Sequence, residues 1–186
     1  MCRRFIVFLL VLQGFEVHAG EKEKLVKQLS VSLRDPEKRM AALLALLDAG
    51  NEAKSAVSDL INALPTATSN EKEVIVAVLG KIGPASEPAI PILVGFFDDK
   101  NGFLGIISAI ALVNIGDKSL PFLVKPLLCG SDVAKQLACE CCRLFGPKAR
   151  PLGLFLIPCV FDSSPEVRSR AERAFYAVQF GKANRP

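Results

Sequence analysis

The chain has 186 residues, 51% of them hydrophobic and 23% charged, with a formal net charge of +4. This apolar content suits one packed domain and excludes a disordered chain, while so small a positive excess excludes a dedicated nucleic-acid binder. The single histidine, His18, leaves little room for histidine-based catalysis or metal ligation.

In chain order, Arg3 and Arg4 precede an apolar stretch over residues 5–12, too short to cross a bilayer. This is the pattern of a secretory signal, and Val17 and Ala19 supply tolerated residues for cleavage after Ala19. The expected division is a signal peptide over residues 1–19 and one domain over residues 20–186, with an uncleaved anchor as the alternative. Cleavage would remove His18 and with it any Ser-His or Cys-His dyad. Beyond Gly20, Pro, Gly and charges interrupt every apolar run, so no stable membrane span is expected after cleavage, and the mature protein should be secreted, periplasmic or in the cell envelope.

An internal repeat organises the rest. Gly50, Gly83, Gly116 and Gly146 recur at spacings of 33, 33 and 30 residues. Fifteen positions before them stand Asp35, Thr68, Asn101 and Ser131, residues that favour a helix N-cap, and Ser164 opens a fifth unit. The helices begun by these caps share a pattern: Arg39, Ala42, Ala45 and Leu46, then Lys72, Ile75, Val78 and Leu79. Gly105, Ser108, Ala111 and Leu112 come next, then Lys135, Ala138, Cys141 and Cys142, with Arg168, Ala171, Ala174 and Phe175 last. Small and apolar residues at this spacing form one buried helical face. A second helix is expected after each glycine, with Ser58, Pro91, Pro121 and Pro151 aligned in its first turn. The predicted fold is all-α: a right-handed α-solenoid of stacked antiparallel helix pairs, about four to five repeats and about ten helices, capped by residues 21–33 and 165–180.

Asp35-Pro36, Arg39, Ala42, Ala45 and Leu46, together with Ser164-Pro165-Glu166-Val167-Arg168 and Ala171, resemble the first helix of HEAT repeats, in particular the short repeats of the phycobilisome-lyase-type group. The resemblance covers the chain from Gly20 onward. It implies a helical repeat scaffold in which the Asp and Arg support turn and stacking, and it leaves a bilin-lyase-like repeat enzyme as one functional alternative. Gly105 departs from it by replacing the basic residue.

Three cysteines, Cys139, Cys141 and Cys142, share one helical turn, with Cys129 and Cys159 in neighbouring elements. The residues aligned with the three are Leu, Val and Ala, which favours packing as small hydrophobes; a disulfide and a thiolate metal site, and with them a thiol- or metal-dependent activity, are the alternatives. The second helices are short of polar residues, and Asn62, Gly95, Lys125 and Phe155 are expected to run along one row of an apolar groove. Phe122, Lys125 and Phe155 are therefore the candidate partner-binding residues. Between Arg143 and the C-terminus eight basic residues face three acidic ones, and Arg168, Arg170 and Arg173 could meet an acidic partner or form a solvated cap. No phosphate loop, nucleophile elbow or paired-carboxylate motif occurs. The expectation is a non-catalytic module that binds another protein, with no cofactor, no metal and no nucleic-acid partner.

Overall fold

The computed structural model describes residues 19–99 and 102–181, so the expected signal segment lies almost entirely outside the described residues. No strand occurs among them; the chain is helical. In order the elements are α1 (Ala19–Ser32), α2 (Pro36–Ala49), α3 (Val57–Ala63), α4 (Ser69–Ile82) and α5 (Ile90–Gly95). They continue with α6 (Phe103–Ile115), α7 (Val124–Cys129), α8 (Asp132–Phe145), α9 (Gly153–Val160) and α10 (Pro165–Phe180).

The predicted caps start three of the five first helices. The Asp35 side chain accepts from the Glu37 amide, Thr68 and Glu71 form a capping box, and the Ser131 hydroxyl accepts from the Ala134 amide. Two expectations need correction. Ser164 makes no side-chain cap, its hydroxyl bonding the Glu166 carboxylate instead, and α6 is preceded by Gly102 rather than Asn101, which lies outside the described residues. Gly102 donates to the Asp99 carbonyl and turns left-handed, with φ 70°, which delays the helix start to Phe103.

The repeated glycines end the first helices at positive φ, with ψ near −127° at Gly50 and −134° at Gly83, a region of backbone space that side chains penalise. In place of the expected tight turn, each glycine leads into a seven-residue 3-10 segment, Gly50–Ala56, Gly83–Ala89, Asp117–Leu123 and Gly146–Leu152, and Ser58 and Pro91 then lie in the first turn of the second helix as expected. Pro88, Pro121 and Pro151 sit inside three of these segments, where they shorten the run of amide donors. Only then do the short helices α3, α5, α7 and α9 begin. Pro121 and Pro151 thus lie one turn earlier than Ser58 and Pro91, so these four are not structural equivalents.

The first helices stand side by side, α2 on α4, α4 on α6, α6 on α8 and α8 on α10, and the second helix α7 packs on α9. Their shared pattern is the reason. Ala42, Ile75, Ser108, Ala138 and Ala171 occupy the same position of successive first helices and all are buried. Three residues after each glycine, Ala53, Ser86, Ser119 and Ala149 are fully buried, small enough for the turn to press against its helix. The stretch Ser69–Asp98 has the length and apolarity of a membrane span, but Gly83 breaks it at φ 74° and 56% of its most apolar window is buried.

The basic position of the pattern ties three of the five units to their turns. Arg39 donates through Nε to the Leu33 carbonyl at 2.8 Å and through Nη1 to the Thr66 carbonyl at 3.2 Å, with the Glu71 carboxylate at 3.4 Å. Lys135 reaches the matching turn at Asp162, 2.7 Å away, and Arg168 donates to the carbonyls of Asp162 and Ser163. Where Gly105 stands instead, α6 moves in: a Cβ there would meet Leu137 Cδ1 at 2.9 Å and the Phe96 carbonyl at 3.0 Å.

Candidate functional site

The α7–α9 edge of the molecule carries the candidate residues. Counted from the repeat glycines, Asp59, Ile92, Lys125 and Phe155 hold equivalent positions, whereas Asn62 and Gly95 lie one turn further on. The predicted row is therefore two rows, because Pro121 and Pro151, aligned with Ser58 and Pro91 to draw it, stand five residues after their glycines and Ser58 and Pro91 eight. Phe122 and Lys125 are exposed, Phe122 at 43%. Phe155 is half-buried and packs against the core, so it supports the exposed residues rather than standing among them.

Sequence reasoning missed the most exposed apolar side chains. On α9, Leu154 is 78% exposed, Ile157 projects from the next turn, and Phe161, just past the helix, is 82% exposed. Spacings of three and four residues put these on one face, opposite buried Leu156 and Cys159. Leu128 extends the surface on α7. A second apolar strip lies on α6, where Phe103, Ile106 and Ile110 are exposed. The signal for both was available: α6 and α9 contain no charged residue, so burying one face had to leave apolar side chains on the other.

The basic C-terminal region is less free than its composition implied. Arg168 is held in the turn, and Arg143 forms a bidentate pair with Glu140, whose carboxyl the guanidinium lowers and which Arg170 and Arg173 also influence. Lys148 pairs with Asp117, and Arg150 donates to the Gln179 carbonyl.

The cysteine cluster is interior. Cys139, Cys141, Cys142 and Cys159 are buried and free, and Cys129 is exposed and free. Cys141 points toward the preceding repeat, its thiol donating to the Ala109 carbonyl at 3.6 Å, while Cys159 donates to the Leu127 carbonyl at 3.2 Å. Burial pushes the Cys142 thiol up to about 12 and Cys141 well above the ordinary range, since a thiolate there would lose its hydration. Such thiols are poor nucleophiles at neutral pH. Among the described residues no three His, Cys, Asp or Glu side chains converge as metal ligands.

An open cavity of about 400 Å³ lies at the other end, lined by Ser30, Arg34, Arg39, Asp59, Asn62 and Thr66 among others. Its buried cation, Arg39, is already committed to Leu33, Thr66 and Glu71. No family model, curated protein or solved structure matches the chain.

Proposed function

We propose that the protein is an exported, non-catalytic scaffold module, a right-handed α-solenoid of HEAT-like repeats that binds another protein along its second helices. One observation carries the reading: Leu154 and Ile157 are exposed on one side of α9 and Phe161 just past its end, with Leu128 exposed on the adjoining α7 and Phe122 in the 3-10 segment before it. Isolated surface hydrophobes are ordinary, but a cluster of large ones on adjacent helices costs solubility and marks an interaction site. The stacking of first helices agrees with a repeat scaffold, in which each unit needs neighbours to bury its face. Lys125 beside the cluster would steer an acidic partner on approach, while the aromatic and aliphatic side chains would hold it.

The test is co-purification of the tagged protein from its native envelope fraction, comparing wild type with Leu154→Ser/Phe161→Ser. A protein recovered with the wild type and lost with the double variant, at unchanged melting temperature, supports the reading. Equal recovery would place the contact elsewhere, and Phe103→Ser/Ile110→Ser examines the α6 strip in the same experiment. Phe155→Ala is expected to lower stability, because that ring packs on the core.

A further inference from the structure

α6 is the middle one of the five first helices and carries no charged residue. Phe103, Ile106 and Ile110, exposed by 54%, 49% and 51%, stand along its outer face, and half-buried Val113 continues the line. Their spacings of three, four and three residues draw the seam by which one helix packs on another. Val133, at the position of α8 that matches Phe103, is exposed too and widens the strip.

A stable interface buries roughly 800 Å² on each partner, more than one helix face supplies, so an occupant must also meet the flanking helices. The outermost of these differ in sign. On the outer face of α2 the exposed ionic residues are Glu37 and Asp48, Lys38 being paired with Asp35. On α10 they are Arg170 and Arg173, while Glu166 takes the Ser164 hydroxyl. Glu172 occupies the position of buried Leu43, Val76, Ala109 and Cys139 in the earlier helices, and so points out of the end of the stack. The outer face is thus acidic at one edge, apolar in the middle and basic at the other. A second copy turned about a two-fold axis along α6 matches that order: the middle meets itself and each edge meets its opposite. Helices run parallel across such an axis, which puts Glu37 within one turn of the level of Arg170 and Asp48 within one turn of Arg173.

We propose that two copies of this chain form a dimer through α6, with Phe103, Ile106 and Ile110 of one copy packing on the same residues of the other, and Glu37 and Asp48 of each facing Arg170 and Arg173 of its mate. The apolar strip supplies the affinity, and the charged edges fix the register.

Sedimentation velocity of the full chain at about 50 μM should show a species of twice the chain's mass. Ile106→Ser/Ile110→Ser should raise the dissociation constant roughly tenfold or more, with the helical circular dichroism unchanged because both side chains are exposed. Arg170→Glu/Arg173→Glu should also weaken the dimer, and adding Glu37→Arg/Asp48→Arg to the same chain should restore it. With Cys2 and Cys129 replaced by serine, Ile110→Cys should give a covalent dimer on oxidation, because a residue on the axis meets its own copy, and Leu154→Cys should not. A wild-type monomer at that concentration overturns the proposal. So does a dimer that survives the serine changes, one that the exchanged charges fail to restore, or one that cross-links only through Leu154→Cys. The cross-link decides even if the serine variant fails to fold.

Discussion

Arg39 shows how one side chain can serve two repeats. It closes the turn before its own helix at Leu33 and reaches the end of the next helix at Thr66, with Glu71 of the following repeat buried beside it. Glu71 accepts from the Thr68 amide and hydroxyl, and these bonds, chiefly the amide, lower its carboxyl below the usual range against the opposing effect of burial. A depressed carboxyl stabilises the fold fully above its unfolded value, near 4.3, and the contribution is lost as pH falls toward the folded value. Glu71→Gln is therefore expected to cost about 2 kcal/mol at neutral pH. The melting-temperature gap from wild type should narrow as pH drops from about 5 to 3. A gap independent of pH would mean that the charge on Glu71 contributes nothing.

At the scale of elements, close helix packing depends on residues too small to intrude. Gly105 lets α6 approach α8 and the end of α5, and adding a methyl group there forces Leu137 aside and presses on the Phe96 carbonyl. Gly95, the last residue of α5, is helical at φ −60° and has nothing within 4 Å of an added Cβ. The same substitution should act oppositely at the two sites. Gly105→Ala is expected to destabilise by about 1–3 kcal/mol from overpacking, and Gly95→Ala to stabilise by about 0.5 kcal/mol because the unfolded chain loses freedom. Denaturant midpoints measure both, and stabilisation by Gly105→Ala would show that α6 shifts without strain. The departure of Gly105 from the repeat pattern was legible in the sequence; that it permits a close approach was not, because the atoms it avoids belong to other elements.

For the whole molecule, stability should follow the number of packed neighbours. Among described residues α1 buries only Val26 and Ser30, and it packs on the first repeat alone, whereas α4, α6 and α8 each bury seven residues between neighbours on both sides. Native-state amide exchange is expected to be fastest in α1 and slowest in α4, α6 and α8, since local opening follows buried contacts. Uniform protection from α1 to α10 would show that the chain opens only as one unit.

The helical class and the repeat could be read from the chain because the 3.6-residue period and the N-cap residues are local properties, set by neighbours in sequence. Arg39, Ala42 and Leu46 announced a buried face, and the cysteines announced themselves as core by aligning with Leu, Val and Ala. Tertiary structure alone decided which residues the second helices leave in water. A 3-10 segment rises further per residue and turns faster than an α-helix, so seven such residues after each glycine change which side chains face outward. That rotation sets Phe155 half into the core and leaves Leu154 in water, whereas the expected row split because Pro121 and Pro151 stand five residues after their glycines and Ser58 and Pro91 eight.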